Sequence, residues 1–202
     1  MNRSFARTGL FAVVAIAACS TAVLVPGGPS TARPPHTAAD VYFMSGMIGH
    51  HAQAVLMAGW AVSHGAGPEM RRLCERIVVG QRDEIALMQG WLQERGEPVP
   101  DGDPAHQMMP GMAHKLMPGM LTMDQLTQLD AARGADFDRL FLRFMIQHHE
   151  GAIAMVDQLH GSVGGGQDDT VFKLASDVYA DQTTEIDFMS KMLARLSASA
   201  SP

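Results

Sequence analysis

Apolar residues recur at intervals of three and four positions along four long segments of the chain, which is the spacing of one face of an α-helix. Asp40 and Asp136 stand at the start of two segments, where an Asp side chain can cap free helix N–H groups. Gly65 and the pair Gly67-Pro68 separate the first two segments. No run alternates with the period of a strand between hairpin turns. The pattern predicts an all-α protein with long helices at roughly 41–63, 68–95, 137–160 and 169–197.

A connector over residues 96–121, rich in Gly, Pro, Met and His, joins the second long helix to the third. The sequence after it, Thr122-Met-Asp-Gln125, has the form of a capping box, in which two side chains satisfy each other's backbone N–H groups. We therefore predict a short additional helix at 122–133.

The chain consists of two related halves. MIGHHAQAVLM, at Met47–Met57, has the same skeleton as MIQHHEGAIAM, at Met145–Met155, and QRDEIALM likewise matches QTTEIDFM. Each half supplies one helix with a His-His pair and one helix with Gln, Glu and Met, as hairpins at 40–95 and 136–197. Two such hairpins are expected to pack as one four-helix bundle over 40–197.

Polar residues lie within the apolar faces of the second and fourth long helices. Gln81 and Glu84 share the face that carries Met88 in the second helix. Gln182 and Glu185 occupy the equivalent positions in the fourth. A glutamine and a glutamate therefore point towards the core in both halves.

The histidine pairs lie on the other two long helices. Adjacent helical residues point about 100° apart, so both imidazoles of one pair cannot face the bundle axis. The apolar stripes place His148 near the centre of the third helix's face and His51 nearer the centre of the first. Each pair offers one imidazole to the core and one to a neighbouring helix, and periodicity alone leaves open which is which.

Buried carboxylates are expected to be paired or bound to a metal. In one interpretation, His–Glu hydrogen bonds cross the bundle and fix its register only. In the other, the imidazoles bind metal, the carboxylates orient the rings or ligate directly, and methionines supply sulfur. The candidate ligands are His50, His51, His148, His149, Glu84, Glu185, Met57, Met88, Met155 and Met189.

The connector segment HQMMPGMAHKLMPGMLTM, at 106–123, contains two MPGM motifs. Exposed loops normally avoid so many methionines, because thioethers are apolar and open to oxidation. The segment is either packing that lies over the bundle or a flexible thioether cluster for a soft ion. We favour the second, since thioethers and imidazoles select Cu(I) and thioethers need no deprotonation. Its candidate ligands are Met108, Met109, Met112, His114, Met117 and Met120.

The N-terminal residues are predicted to be an export signal and not part of the fold. In residues 1–19, Arg3 and Arg7 precede a short apolar run that ends at Cys19. The end of this run resembles a bacterial lipobox, which implies lipidation of Cys19 and a membrane anchor. The alternative is ordinary cleavage with Cys19 incidental. Residues 20–39, rich in Pro, Gly, Ser and Thr, are predicted to be a flexible tether.

Composition narrows the classes of function. The net charge is −6, with no basic excess, so nucleic acid is not an expected partner. Once Cys19 is lipidated or removed, Cys74 is the remaining thiol, and no intramolecular disulfide is expected. Soft-metal chemistry is therefore left to Met and His. A duplicated bundle can stand alone or pair, so a homo-oligomer is possible.

Over Asp40–Leu196 the chain resembles the family called domain of unknown function 305. The resemblance rests on MIGHHAQAVLMA, QRDEIALM, MPGM and FDRLFLRFMIQHHEGAIAM with its partner QTTEIDFM. Members are bacterial, usually exported proteins, and some are associated with copper binding and resistance. The resemblance implies a ferritin-like four-helix fold and copper binding here.

The two halves differ beside the histidines. The first has Gly49 and Ala52-Gln53 where the second has Gln147 and Glu150-Gly151. The first half departs from the commonest pattern of the family and is the less closely matched half-site.

Together these observations predict an extracytoplasmic protein, at the cell surface, in the periplasm or secreted, that captures or buffers Cu(I). We expect no catalysis and no organic cofactor. One rival is a di-iron or di-manganese oxidase, whose sites typically use Glu-x-x-His. That motif does not occur: Glu84 is followed by Ile-Ala-Leu and Glu185 by Ile-Asp-Phe. The other rival is a metal-free structural or interaction module.

Overall fold

The computed structural model describes residues 36–103 and 116–198. These residues form five helices and no strand: α1 (Ala38–Gly59), α2 (Pro68–Glu94), α3 (Met123–Ala131), α4 (Gly134–His160) and α5 (Asp169–Ala198). The prediction of an all-α helical bundle is confirmed. Within the described ranges, no helix is long and apolar enough to cross a membrane.

Capping boxes start two of the helices. The one predicted at Thr122 is present at the start of α3. The prediction of Asp40 as an N-cap is wrong, because Thr37 caps α1 and accepts the N–H of Asp40 at 3.2 Å, while the Asp40 carboxylate accepts the N–H of Thr37 at 2.8 Å. This reciprocal pair starts the helix earlier than a lone Asp cap would. The other Asp40 oxygen accepts the N–H of Gly166 at 2.7 Å, which ties α1 to the loop before α5.

The start of α4 also differs from the prediction. Asp136 is not the cap: it lies in the first turn and pairs with Arg139 at 2.6 Å. The N-cap is Arg133, whose side chain makes no capping hydrogen bond. Gly134, at φ +55, instead donates its N–H to the carbonyl of His64 at 2.8 Å. A carbonyl from a distant segment therefore accepts the first backbone N–H of α4, and the local sequence does not predict this hydrogen bond.

The core is divided into two apolar clusters towards opposite ends of the bundle. The first combines the N-terminal half of α1 with the C-terminal half of α4, around Phe43 and Trp91. The second combines the C-terminal half of α1 with the N-terminal half of α4, around Phe137 and Phe141. Helices α1 and α4 therefore run antiparallel, and each carries its own hairpin partner, α2 or α5.

A polar layer separates the two clusters. On each long helix, polar residues stand where the contacts change from one cluster to the other. The polar layer consists of His50 and His51 on α1, Gln81 and Glu84 on α2, His148 and His149 on α4, and Gln182 and Glu185 on α5. The four histidines are fully buried and the glutamines nearly so, which makes the layer internal.

The end of the connector, residues 117–121, crosses the α1–α4 interface as a strap. Gln53 of α1 holds it through two hydrogen bonds to the backbone of Leu121, at 2.7 and 3.0 Å. Met117 and Met120 of the strap are both buried. The second MPGM motif is therefore part of the packed fold, as the packing interpretation expected for the connector.

The other side of the strap rests on α4. Gly119 adopts φ +75, and its carbonyl accepts a hydrogen bond from Gln147 Nε2 at 3.2 Å. A Cβ atom at Gly151 would overlap the Pro118 carbonyl group, so only glycine allows this close approach.

Several predicted features lie outside the described residues. These are the signal at 1–19, most of the tether, and the middle of the connector, 104–115. The candidate residues within them are Cys19, Met108, Met109, Met112 and His114.

Candidate metal centre

Two imidazoles meet at the centre of the polar layer. His50 and His148 have ring centroids 3.8 Å apart, with planes tilted by 40°, and both are fully buried. The inward position of His148 matches the sequence prediction, but on α1 the inward histidine is His50 and not His51. At this level α2, α4 and the strap surround α1, and every residue from 50 to 55 is buried. The apolar stripe of α1 is therefore too broad to show which of its two histidines faces the bundle axis.

Each outer histidine binds the glutamate of its own hairpin. His51 Nε2 lies 2.7 Å from Glu84 Oε2, and His149 Nε2 lies 2.8 Å from Glu185 Oε2. An ionised carboxylate only accepts hydrogen bonds, so Nε2 carries the proton in both rings. In the neutral ring, Nδ1 is then a bare lone pair. The glutamate side chains are 20% and 23% exposed, so solvent reaches the carboxylates while the rings behind them stay dry.

The inner histidines have fewer partners. His50 donates from Nε2 to the carbonyl oxygen of Pro118 in the strap, at 3.0 Å. Neither ring nitrogen of His148 has a hydrogen-bond partner among the described residues. The strap therefore fixes the ring of His50 and leaves that of His148 to packing alone.

Burial keeps the inner histidines neutral. Burial lowers the pKa of His50 to about 3, and the neighbouring His51 contributes in the same direction. Burial also lowers the pKa of His148 well below 6.5, assisted by His50. Neutral imidazole is the form that binds metals, so no proton has to leave these rings at physiological pH.

The layer thus holds several buried ring nitrogens without a partner among the described residues. Leaving a buried polar atom unsatisfied costs about 1–3 kcal/mol, so such groups call for an explanation. They are Nδ1 of His50, His51, His148 and His149, and Nε2 of His148.

Methionines lie on both sides of the layer instead of forming one group. The first apolar cluster contains Met88, Met155, Met117 and Met120, and the second contains Met57 and Met189. The sequence prediction missed Met47 and Met145, both fully buried, which precede His50 and His148 by three positions and share their helical faces. The repeated Met-Ile-x-His-His motif could have identified both methionines, because it places each one helical turn before a histidine.

One strap methionine lies beside a helix methionine. A Cβ atom at Gly46 would be 2.6 Å from Met117 Cε and 3.4 Å from Met155 Cε, so the glycine makes room for both. The Tyr42 hydroxyl lies 3.8 Å from the Met117 sulfur. The fold therefore brings together one candidate ligand from the connector and one from α4.

Between α2 and α5 the polar layer borders an open cleft of about 410 Å³. Its lining includes Gln81, Glu84, Gln182, Glu185 and Asp181, of which Asp181 was not predicted. Burial raises the pKa of Asp181, and the charges of Glu84 and Glu185 raise it further. In the part of the chain that the structure describes, no three His, Cys, Asp or Glu side chains are grouped to hold one ion. The donor set of the interior is instead imidazole with thioether.

Two solved structures share this fold with substantial coverage. A DUF305 protein from Streptomyces coelicolor, described as secreted, is 30% identical, with 79% of this chain and 94% of that chain covered and a TM-score of 0.67. A DUF305 fragment from Deinococcus radiodurans is 29% identical, with 80% of this chain and 99% of that chain covered and a TM-score of 0.67.

CopM is a third similar structure. Its Cu(I)-bound form is 30% identical to this chain, with 77% of this chain and 96% of that chain covered and a TM-score of 0.59. Cu(II)-bound and Ag-bound forms of CopM match with TM-scores of 0.61 and 0.59.

Among curated proteins, uncharacterized protein L153 of Acanthamoeba polyphaga mimivirus is 36% identical over 56 residues, which are 28% of this chain and 37% of that protein. The match therefore spans little more than a third of that relative's length. The profile of a family described as domain of unknown function (DUF305) matches residues 40–193. Because this match covers most of the chain, the protein belongs to the DUF305 family.

Proposed function

We propose that this protein binds copper as Cu(I) outside the cytoplasm and captures or buffers the ion in the polar layer. The observation that carries the proposal is the inner pair of His50 and His148, which is buried, neutral and in ring contact. Each ring keeps at least one nitrogen without a hydrogen-bond partner in the part of the chain that the structure describes. A bound ion would satisfy nitrogens that otherwise destabilise the fold.

The outer histidines support the same proposal. A carboxylate that accepts a hydrogen bond from one ring nitrogen fixes the tautomer and makes the other nitrogen a better ligand. Glu84 and Glu185 stand in this position behind His51 and His149. On this proposal the glutamates orient the rings and do not themselves ligate copper.

The donor set favours a soft ion. Thioether and imidazole ligands select Cu(I), whereas carboxylates and water suit harder ions. Met47 and Met145 lie one turn from the inner histidines on the same faces. CopM, which shares the fold, has been solved with Cu(I), Cu(II) and Ag bound.

The connector and the N-terminus complete the proposal. Met117 of the strap and Met155 of α4 both lie beside Gly46 of α1, and the candidate methionines at 108–112 belong to the same connector as Met117. Export rests on the signal-like residues 1–19 and on the S. coelicolor relative described as secreted. Lipidation at Cys19 would hold the protein at a membrane surface.

A metal-free structural role is the second candidate. It accounts for the hydrogen bonds of His51 with Glu84 and of His149 with Glu185. It does not account for His148, because a core designed for register would give a buried imidazole a partner. The inner pair therefore favours the metal-binding proposal.

The test is an anaerobic Cu(I) titration of the full chain against a chromogenic chelator, after elemental analysis of protein purified without a His-tag. We expect His50→Leu and His148→Leu each to remove the tightest site while the helical circular dichroism is kept. His160→Leu, at the exposed end of α4, is the matched control. If both the His50→Leu and His148→Leu variants compete with the chelator for Cu(I) as well as the parent does, the proposal is refuted. Two iron or manganese ions per chain in the elemental analysis would favour the oxidase instead.

The connector is tested separately. Replacing the methionines from Met108 to Met120 with Leu should lower the number of Cu(I) ions bound and leave the helices intact, since Leu and Met have similar volumes. Met123→Leu, at an exposed position in α3, is the control. An unchanged stoichiometry would assign the connector to packing alone.

A further inference from the structure

The inner histidines have no open route to solvent. His50 and His148 are both 0% exposed. On the side of the α2–α5 cleft, the outer histidines and their glutamates close the layer. On the other side the strap lies over His50, whose Nε2 donates to the Pro118 carbonyl at 3.0 Å. Pro118 and Gly119 are themselves only half-buried, so a single thickness of chain separates this ring from solvent.

The strap is attached to the helices through side chains and not through a backbone ladder. Gln53 of α1 and Gln147 of α4 hold its backbone by hydrogen bonds. Among the described residues, the backbone–backbone hydrogen bond of the strap runs from the Met120 N–H to the Met117 carbonyl, at 3.2 Å, and is internal to it. Lifting the strap therefore breaks no hydrogen bond of a helix. Local openings of this kind cost less free energy than unfolding of the whole domain.

Two glycines form the seat of the strap. A Cβ atom at Gly46 of α1 would lie 2.6 Å from Met117 Cε, and a Cβ atom at Gly151 of α4 would overlap the Pro118 carbonyl. The absence of side chains at these two positions lets the strap lie directly against both helices. The seat thus defines one closed position, to which the strap can return after an opening.

We propose that the strap, residues 117–121, is a gate over the inner histidine pair. Cu(I) enters when the strap lifts from α1 and α4, and the strap then closes over the bound ion. While the strap is closed, the Pro118 carbonyl keeps the proton of His50 on Nε2. The inference rests on the proposed copper function and adds a regulation to it: the rates of capture and release are set by the movement of the strap.

The direct test is the kinetics of Cu(I) transfer to the full chain, measured anaerobically by stopped flow with the Cu(I)–chelator complex in excess. We expect the observed rate to reach a plateau as the concentration of the complex rises, because opening of the strap becomes rate-limiting. A second chelator of different affinity should give the same plateau, since the limit belongs to the protein. A rate that stays proportional to the concentration of the complex overturns the gate.

Variants assign the plateau to the strap. Gly151→Ala pushes on the Pro118 carbonyl, and Gln53→Ala removes two hydrogen bonds to Leu121. Each should raise the plateau rate about tenfold, because the closed state loses contacts. Gly49→Ala, in open space on α1, is the matched control and should keep the rate of the parent. Circular dichroism checks that the helices are intact, and an unchanged plateau in both strap variants overturns the assignment.

A measurement without metal separates opening from entry. The N–H of Leu121 donates to Gln53 Oε1 at 2.7 Å, so its hydrogen exchange reports whether the strap is closed. We expect faster exchange at Leu121 in Gly151→Ala than in Gly49→Ala. Faster exchange combined with an unchanged plateau would show that the ion enters elsewhere, and this overturns the gate.

The gate and the copper function fail in different ways. If the parent protein does not compete with the chelator for Cu(I) at equilibrium, the copper proposal is refuted and the gate falls with it. If equilibrium competition is intact but the transfer rate has no plateau, only the gate is overturned.

Discussion

Replacing His148 with leucine should stabilise the protein in the absence of metal. The imidazole is fully buried and neither ring nitrogen has a partner among residues 36–103 and 116–198, so the substitution breaks no hydrogen bond within them. It removes buried polar atoms whose burial without a partner costs about 1–3 kcal/mol. We therefore expect the free energy of unfolding at pH 7 to rise by about 1 kcal/mol, even though the residue is central to the proposed copper site.

The stability advantage of His148→Leu over the parent should increase as the pH falls. The pKa of His148 is lowered well below 6.5 by burial, so between the two values the unfolded chain binds a proton that the folded chain does not. Stability is therefore lost as the pH falls through this window. The loss from this one group increases from pH 7 to pH 5, because the unfolded imidazole, with an ordinary pKa of about 6.5, becomes protonated over this range. The His148→Leu variant does not lose this stability, because leucine has no group that titrates.

The assay is urea unfolding of chelator-treated protein, followed by circular dichroism at pH 7, 6 and 5. The stability difference between His148→Leu and the parent should be about 1 kcal/mol at pH 7 and should increase at pH 6 and again at pH 5. His160→Leu controls for the loss of a histidine from the same helix. A difference that does not change with pH, or a variant that is less stable throughout, would show that the imidazole is charged or hydrogen-bonded in the fold.

Three further outcomes are expected. Gly151→Ala should push the strap away from α4, because the added Cβ would overlap the Pro118 carbonyl. We expect it to lower the free energy of unfolding in urea by about 1–3 kcal/mol. Its control, Gly49→Ala, adds a Cβ in open space on α1 and should instead raise the free energy of unfolding by about 0.5–1 kcal/mol. Gln53→Ala should speed proteolysis at the strap, because it leaves two backbone groups of Leu121 unpaired. Cu(I) affinity at the inner histidine pair should change little between pH 7 and 5 in chelator competition, because the free rings are already neutral there; a tenfold loss per pH unit would contradict the low pKa values.

Helix number and most helix positions follow from the sequence because they depend on local information. Spacing of apolar residues by three and four, Pro68 after Gly67, and the capping box at Thr122 each act within a few residues. The caps predicted at Asp40 and Asp136 failed for different reasons. A second local option, Thr37, completed a better box at one, and a backbone contact with His64 started the helix at the other.

The details of the site depend on contacts between distant segments. Periodicity indicated that one histidine of each pair faces inwards, but the strap decides the surroundings of α1. The carbonyl of Pro118 lies 68 residues away from His50 in sequence, and no local pattern links them. The low pKa of His50 has the same origin, since burial is a property of the whole bundle. From sequence alone, an ordinary imidazole near 6.5 would be expected to compete with protons for metal.

Two of the positions at which the halves differ beside the histidines contact the strap. Gln53 of the first half holds the strap at Leu121, and the equivalent Gly151 of the second half makes room for Pro118. Gln147, equivalent to Gly49, donates to Gly119. These departures from the repeat therefore have a structural role in seating the strap.

The strap makes the two inner histidines unequal in a way that suits ion capture. His50 is fixed in one tautomer by the Pro118 carbonyl, so it offers Nδ1 alone to an ion. His148, its equivalent in the second half, has no partner for either ring nitrogen among the described residues, so either tautomer leaves one nitrogen free to bind an ion. On the copper proposal, this asymmetry would provide one fixed ligand and one adaptable ligand for the ion. The duplication thus supplies a pair of imidazoles, and the strap gives its two members different roles.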